Sequence, residues 1–106
     1  MSGYGTGEFD DTLAFGGVEG AISLINTDGA VLVNVSGGVN LPDRQLVTVQ
    51  PLGGDIYWGY NNTVTTATGT LVCDGQIMNI AAGDCADIYI ITASLTPLDI
   101  RITEGG

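Results

Sequence analysis

Short runs in which apolar and polar residues alternate make up most of the chain after residue 17, with turn-forming residues between them. Alternation with a period of two is typical of a β-strand that buries one face. No window keeps an apolar stripe at the helical period, so the pattern predicts strands and no long helix. The predicted strands cover residues 18–25, 30–35, 45–50, 55–60, 70–73, 76–81, 86–93 and 98–103.

The last two predicted strands show the alternation clearly. In residues 98–103 every second residue is apolar, which predicts an inward face made of Leu98, Ile100 and Ile102. The alternating sets in residues 86–93 are Ala86, Ile88 and Ile90 on one face and Asp87, Tyr89 and Ile91 on the other.

Two Asp-Gly pairs lie between predicted strands. An Asp-Gly pair accepts the positive φ angles of a tight two-residue turn. Asp28-Gly29 therefore predicts a hairpin between the first and second strands, and Asp74-Gly75 predicts one between the fifth and sixth. Residues 51–54, Pro-Leu-Gly-Gly, predict a further turn after the third strand.

The spacing of the strands indicates the fold class. Short strands that recur at intervals of about 8–12 residues are typical of a sandwich or a barrel. The 17 glycines and the many Val, Ile and Thr residues also oppose helix formation. We predict an all-β fold, a compact antiparallel β-sandwich of about eight short strands in residues 18–106, of which a jelly roll is one arrangement. The sequence leaves the strand order open.

Residues 1–17 form a glycine-rich segment with no sustained period, and it contains three acidic residues. One interpretation is a frayed terminus. The other is an N-terminal arm that becomes ordered when its aromatic residues Tyr4, Phe9 and Phe15 dock on a neighbouring protein. We favour the docking arm, because a purely disordered tail has little use for three aromatic side chains.

The charge of the chain excludes several classes of partner. Nine Asp and three Glu stand against two Arg, with no Lys or His, and the formal net charge is -10. Binding to nucleic acid or to an anionic membrane depends on Lys and Arg, so we expect neither. Only 13% of residues are charged, whereas about 25% is usual. A Thr/Asn-rich surface with few charges suits burial against other proteins.

The composition also argues against an enzyme. Without His, the chain lacks the usual general base, the Ser-His and Cys-His nucleophile pairs and most zinc sites. Asp10-Asp11, or Asp84 with Asp87, could be read as calcium ligands, but neither follows the spacing of a dedicated calcium loop. We expect no catalytic residues and no cofactor. With no signal peptide or apolar membrane span visible, we expect synthesis in the cytoplasm.

Cys73 and Cys85 flank the sixth predicted strand. A disulfide between them is geometrically possible but would be unusual in a reducing cytoplasm. We favour two buried free thiols.

The densest aromatic cluster lies in residues 55–60. Alternation places Ile56, Trp58 and Tyr60 on one face of this strand and Tyr57 on the other. Core packing is the simplest role for Trp58. Tyr57 is the better candidate for an exposed contact, because aromatic residues often dominate the binding energy of protein interfaces. A platform on which a sugar stacks is the other interpretation. The candidate interface residues are Tyr4, Phe9, Phe15, Tyr57 and Tyr60.

Three segments of the second half of the chain carry a recurring pattern. They are GDIYWGYNNTVTTATGTLV, DGQIMNIAAGDCADIYIITAS and LDIRITEGG. This pattern resembles that of small virion proteins of tailed bacteriophages, of the capsid decoration or cement type. It covers residues 54–106, while Cys73 and Cys85 are not part of it.

The resemblance implies a structural protein that binds the outer surface of the capsid and stabilises the head. Its expected partners are the major capsid protein of the same particle and further copies of itself, as a homotrimer at three-fold positions. Extended terminal arms are a common attachment device in such proteins, and no catalytic residues are carried over. The net charge of -10 also favours the outside of the shell, away from packaged DNA.

Two other functions remain open at this point. One is a module of a head or tail fibre that binds carbohydrate on the host surface through Tyr57 or loop residues. The other is a non-viral β-sandwich that binds protein within a larger assembly.

Overall fold

The structure, a computed structural model, describes residues 16–106. These residues form eight β-strands and one short 3-10 turn, so the predicted all-β sandwich is confirmed. The strands are β1 (Gly17–Leu24), β2 (Val31–Leu32), β3 (Leu46–Leu52), β4 (Ile56–Gly59), β5 (Thr70–Val72), β6 (Met78–Ala81), β7 (Tyr89–Ile91) and β8 (Leu98–Gly105). The candidate arm residues Tyr4, Phe9 and Phe15 lie outside the described residues.

The strands form two four-stranded antiparallel sheets. The first sheet has the order β1-β8-β3-β6 and the second has the order β2-β7-β4-β5. The eight strands can be described as one long antiparallel ribbon in which β1 pairs with β8, β2 with β7, β3 with β6 and β4 with β5. Folding this ribbon over places the pairs alternately in the first and the second sheet. This order is the jelly roll arrangement, with eight strands in two facing sheets.

The core lies between the two sheets. The inward residues predicted for the last strand, Leu98, Ile100 and Ile102, are all buried there. They meet buried residues from both sheets, including Val47 and Val49 of β3, and each such side chain contributes about 1.5–3 kcal/mol through burial. The remaining members of the core are Leu24, Val33, Ile56, Val72, Ile80, Ala82, Ile88 and Ile90.

The predicted hairpin at Asp28-Gly29 is wrong. Gly29 has the expected positive φ of 67°, but β1 pairs with β8 in the first sheet and β2 pairs with β7 in the second. The turn is a 3-10 turn over Asn26–Asp28, and the amide of Ile25 donates to the Asp28 carboxylate over 2.9 Å. The segment therefore carries the chain from one sheet to the other.

The second predicted hairpin, at Asp74-Gly75, is also wrong for the same reason. β5 pairs with β4 in the second sheet, whereas β6 pairs with β3 in the first. Asp74 holds this crossing in place, because its carboxylate accepts a hydrogen bond from the Gly53 amide (2.9 Å) and its own amide donates to the Asp55 carboxylate (2.8 Å).

The turn predicted at residues 51–54 begins later than expected, because β3 continues through Pro51 to Leu52. Pairing between β3 and β6 ends at Val49, whereas Pro51 still pairs with Ile100 of β8. The Pro51 carbonyl accepts a hydrogen bond from the Gly75 amide on the β6 side of the strand (2.7 Å). The proline nitrogen faces that same side, where no ladder hydrogen bond is lost.

Candidate protein-binding surface

The outer face of the second sheet is built almost entirely from apolar and aromatic side chains. Tyr57 of β4 is paired with Leu71 of β5 and Ile91 of β7, and Tyr89 of β7 is paired with Leu32 of β2. Residues paired directly across two strands lie on the same face of a sheet. We call this set, Leu32, Tyr57, Leu71, Tyr89 and Ile91, the apolar face.

The neighbours of these residues confirm that the apolar face points away from the core. Ile56, Val72 and Ile90 occupy the alternating positions, and all three are fully buried between the sheets. Leu71 is 44% exposed, while the other four members of the apolar face are half-buried. The predicted orientation of Tyr57, opposite to Ile56 and Trp58, is therefore what the structure shows.

The loop between β4 and β5 lies close against part of this face. A Cβ atom added to Gly59 would come within 2.8 Å of the Val64 side chain, and one added to Gly69 would come within 2.8 Å of the Tyr57 Cβ. Two glycines thus allow the loop to approach the sheet closely. Within the loop, the Gly69 amide donates to the Thr65 carbonyl over 2.8 Å, which closes it as a tight turn.

The two outer faces of the sandwich differ in charge. None of the strand residues that point outward from the second sheet is charged. The first sheet instead presents Glu19 on β1 and, on β8, Asp99 and Arg101, which form an exposed ion pair of 2.9 Å. A contiguous apolar surface on a small domain commonly marks a contact with another protein. The apolar face is therefore a candidate surface for a dry protein contact.

Tyr60, the other described candidate, does not belong to the apolar face. It is 57% exposed and packs edge-on against Trp58, with ring centroids 5.1 Å apart and an interplanar angle of 82°. Next to it lies a small open pocket of about 200 Å³ lined by Asn61, Thr63 and Thr68 among others. The structure therefore separates Tyr57 and Tyr60 into two different surfaces.

Leu32, Leu71, Tyr89 and Ile91 were not among the candidate residues from the sequence. Tyr89 and Ile91 could have been predicted, because residues 86–93 carry apolar side chains on both faces of the strand. Such a strand is expected where both faces are covered. The other two became candidates only once the pairing of β2 with β7 and of β5 with β4 was known.

A buried ion pair joins the last strand to the loop before β3. The Arg44 guanidinium donates to the Glu104 carboxylate over 2.6 Å, and both side chains are fully buried. The same carboxylate accepts hydrogen bonds from the amides of Val35 (2.7 Å) and Leu41 (3.0 Å). Burial by itself raises the pKa of Glu104, but these two amides together with Arg44 outweigh it and hold the pKa below its usual value.

The other two nitrogens of the Arg44 guanidinium also have a hydrogen-bond partner each. Its guanidinium donates to the carbonyl of Gly83 (3.1 Å) and to that of Ala86 (2.7 Å), both in the loop between β6 and β7. Arg44 and Glu104 thus tie two loops and the end of β8 together at one end of the sandwich. Nothing in this arrangement is open to a substrate, so its role is structural.

The acidic residues considered as calcium ligands take part in loop contacts instead. The Asp84 carboxylate accepts the Asp43 amide (3.0 Å), and the Asp87 carboxylate accepts the Asn40 side-chain amide (2.9 Å). Within residues 16–106, no group of three or more His, Cys, Asp or Glu side chains is placed to hold a metal ion. Asp10 and Asp11 lie outside the described residues.

Cys73 and Cys85 are free thiols, but both are exposed, so the prediction that they are buried is wrong. Cys73 follows the short strand β5, and Cys85 lies in the loop between β6 and β7. Contact with the Asp84 carboxylate raises the pKa of the Cys85 thiol, which makes this thiol less reactive at neutral pH.

The fold and this surface define the class of protein as a jelly-roll β-sandwich with one apolar and one polar outer face. No protein-family model matches the chain, and a search of curated proteins finds no significant match. Among residues 16–106, no helix has the length and apolar character needed to cross a membrane.

Proposed function

We propose that this chain is a structural virion protein, a capsid decoration or cement protein that binds the outer surface of a tailed-bacteriophage capsid and stabilises the head. Its partner in this role is the major capsid protein of the same particle. The observation that carries the proposal is the apolar face, an uncharged surface on a small, acidic β-sandwich. The resemblance of residues 54–106 to virion proteins supplies the biological setting.

The energy of such a contact comes from burial rather than from chemistry. Tyr57, Leu71 and Ile91 form neighbouring cross-strand pairs on the apolar face. A large apolar side chain gains about 1.5–3 kcal/mol when it passes from full exposure to full burial, and the members of the apolar face, most of which are already half-buried, gain part of this. A few such residues at the centre of an interface usually supply most of its affinity. A shell protein that covers the apolar face would therefore hold the domain firmly.

The charge distribution supports a position on the outside of the shell. With the apolar face against the capsid, the opposite sheet would present Glu19 and the Asp99–Arg101 pair to water. Three copies, as the resemblance implies for a trimer at a three-fold position, would together carry about -30, from -10 each. Such a charge is tolerable on an outer surface and unfavourable beside packaged DNA.

The test uses heads assembled without this protein, to which the purified chain is added. Leu71→Asp places a charge on the apolar face, at its edge strand β5, without touching the core, since Leu71 is exposed in the free domain. We expect binding to fall by at least about 100-fold, the loss of a hot-spot contact of about 3 kcal/mol. Co-sedimentation of the chain with heads measures this loss.

Thr103→Asp is the matched control, because Thr103 is an exposed position on the outer face of the first sheet. It adds the same charge and should bind heads as the unmodified chain does. If Leu71→Asp and Thr103→Asp bind equally well, the apolar face is not the attachment surface. If the unmodified chain does not bind heads at all, the proposed function is wrong.

Carbohydrate binding is the second candidate, and the surroundings of Tyr60 favour it. An exposed aromatic ring beside a pocket lined by Asn61 and Thr63 combines a stacking surface with polar groups, which are the two elements of a sugar site. The larger depression on the first sheet, of about 630 Å³, has no aromatic residue in its lining. Retention of the chain on a glycan array, without binding to heads, would favour this function over attachment to a capsid.

A further inference from the structure

β1 is an edge strand whose outer edge is open in the described structure. It pairs with β8 along all eight of its residues, from Gly17 against Gly105 to Leu24 against Leu98. The other edge strands, β2, β5 and β6, are two, three and four residues long. A long, regular edge strand is a template on which another strand can pair.

The hydrogen-bond pattern shows which groups of β1 face that open edge. In an antiparallel pair, residues whose main chain faces the partner strand alternate with residues whose main chain faces away. The Gly106 amide donates to the Gly16 carbonyl, at 3.5 Å, so Gly16 faces β8. The register then shows which main-chain groups face away from β8: those of Gly17, Glu19, Ala21 and Ser23. None of these groups has a main-chain hydrogen-bond partner among residues 16–106.

β1 lacks the devices that usually block an exposed edge. Natural proteins protect edges with Pro, with Lys, with a bulge or with inward-pointing charges. The strand GVEGAISL contains no Pro and no Lys, and its register with β8 is unbroken. Its side chains on the solvent face are small apart from Glu19, the single charged residue of the strand. A second strand can therefore approach this edge closely.

We propose that β1 pairs antiparallel with β1 of a second copy of this chain, around a two-fold axis centred on Gly20. In this register Gly17 lies opposite Ser23 of the second copy, and Glu19 lies opposite Ala21 of the second copy. All the outward-facing main-chain groups then find partners, in about eight hydrogen bonds. The two first sheets become one continuous sheet of eight strands, from four in each copy.

The side chains favour this register over its neighbours. On the inner face it places Val18 opposite Ile22 of the second copy, and β-branched pairs stabilise antiparallel strands. A register centred on Glu19 would oppose two carboxylates, and one centred on Ala21 would leave Gly17 without a partner. A shift by one residue would place main-chain groups that face the open edge opposite groups of the second copy that face its own β8, so the ladder of hydrogen bonds could not form.

The sequence of β1 also indicates why the strand that pairs with this edge belongs to a second copy of the chain rather than to a different protein. The strand is complementary to itself in the antiparallel direction, which is the requirement for a closed two-fold contact. A chain of net charge -10 would be expected to attract a basic partner through clustered carboxylates, yet this edge carries only Glu19. Two acidic chains can meet here without direct opposition of like charges.

This pairing does not rest on the proposed capsid role. It uses the edge of the first sheet, whereas the proposed attachment surface is the outer face of the second. If copies also form trimers at three-fold positions, a two-fold contact at β1 would link one trimer to the next.

The first test is a thiol-pairing experiment in a Cys73→Ser, Cys85→Ser background, because both natural thiols are exposed. Glu19→Cys and Ala21→Cys are purified separately and then mixed under mild oxidation. In the mixture, position 19 of one copy lies opposite position 21 of the other, with about 5.5 Å between the Cα atoms, which is within disulfide range. In a dimer of one variant the two introduced cysteines are diagonal neighbours, about 7–8 Å apart. We expect the mixture to give at least about tenfold more cross-linked dimer than either variant alone.

Thr103→Cys is the control for random collision, because Thr103 is exposed on the same face of the sheet but on β8, one strand in from the edge. Mixed with Ala21→Cys, it should not cross-link above background. Equal cross-linking in all mixtures, or none in any, would overturn the pairing.

The second test is Ala21→Pro, with Ala21→Ser as the matched control. The Ala21 amide faces the open edge, so proline there removes no hydrogen bond to β8. We expect circular dichroism to show that Ala21→Pro is folded. Analytical ultracentrifugation should show that its self-association is at least about tenfold weaker, whereas Ala21→Ser should associate like the unmodified chain. A folded Ala21→Pro that associates normally would refute the proposal, and if this variant fails to fold, the thiol-pairing result decides. Binding to heads is measured separately, so either proposal can fail alone.

Discussion

At the scale of single residues, Glu104 and Arg44 form a fully buried ion pair on which the stability of the fold depends. Their side chains are sixty positions apart in the sequence and meet over 2.6 Å in the interior. A buried pair of this kind adds little net stability compared with apolar residues, but removing one partner leaves an uncompensated charge. The pair therefore matters because the loops at this end of the sandwich are built around it.

We predict that Glu104→Gln lowers the free energy of unfolding at pH 7 by about 3–5 kcal/mol, because it leaves the Arg44 charge buried without a counter-charge. Asp99→Asn is the control: because the Asp99–Arg101 pair is exposed and screened by water, this substitution should change the free energy of unfolding far less. Urea denaturation measures both. Equal effects of the two substitutions would mean that Glu104 is not buried as the structure shows.

The pKa of Glu104 gives this prediction a pH dependence. Its pKa is lower in the folded protein than its usual value. The ionised carboxylate therefore contributes stability above the unfolded pKa, and this contribution is lost as the pH falls through the folded pKa. The unmodified protein should lose stability in this acidic range, whereas Glu104→Gln should lose less, because it has no carboxylate to protonate at this position.

At the scale of elements, the N-terminal boundary of the domain can be tested directly. β1 begins at Gly17, one residue earlier than the predicted strand, and Gly17 already pairs with Gly105. We predict that deletion of residues 1–15 leaves the fold intact, with a midpoint of thermal unfolding within a few degrees of the full chain, and weakens binding to heads. Differential scanning calorimetry and co-sedimentation measure these two effects. If the shortened chain does not fold, residues 1–15 belong to the domain.

The turns at Gly29 and Gly75 were predicted at the right positions, but the strands that each was expected to pair do not pair with each other. Gly29 and Gly75 both take positive φ angles, 67° and 81°, as their Asp-Gly pairs predict. Each turn nevertheless leads from one sheet into the other. A tight turn fixes the local path of the chain, while the choice of partner strand depends on which apolar faces can be buried together.

At the scale of the whole molecule, the net charge of -10 opposes every contact between copies. If copies associate through β1, the attraction is not ionic, so screening of the overall repulsion should strengthen it. We predict that association increases between about 0.01 M and 0.15 M NaCl, where the Debye length falls from about 30 Å to about 8 Å. Light scattering at several protein concentrations measures this. Association that weakens with salt would indicate opposite charges at the contact.

The pattern of the sequence was sufficient to predict the all-β class, eight strands at about the right places and their inward faces, although β2 and β7 are shorter than the predicted residues 30–35 and 86–93. Leu98, Ile100 and Ile102 are buried as their alternation predicts, because period-two burial is a local property of a strand. It also determined that Tyr57 points away from the core side of β4. These features depend only on residues adjacent in the chain.

Tertiary packing sets the strand order, the Arg44–Glu104 pair and the membership of the apolar face, and none of these could be predicted from the sequence. Leu32 and Leu71 reach that face through strands that pair with β7 and β4, not with their neighbours in the chain. Strand pairing in a sandwich is set by burial between residues far apart in the sequence. Local sequence patterns do not specify which strands pair. They therefore predicted on which face of a strand a side chain lies, but not the position of each strand in the sheets.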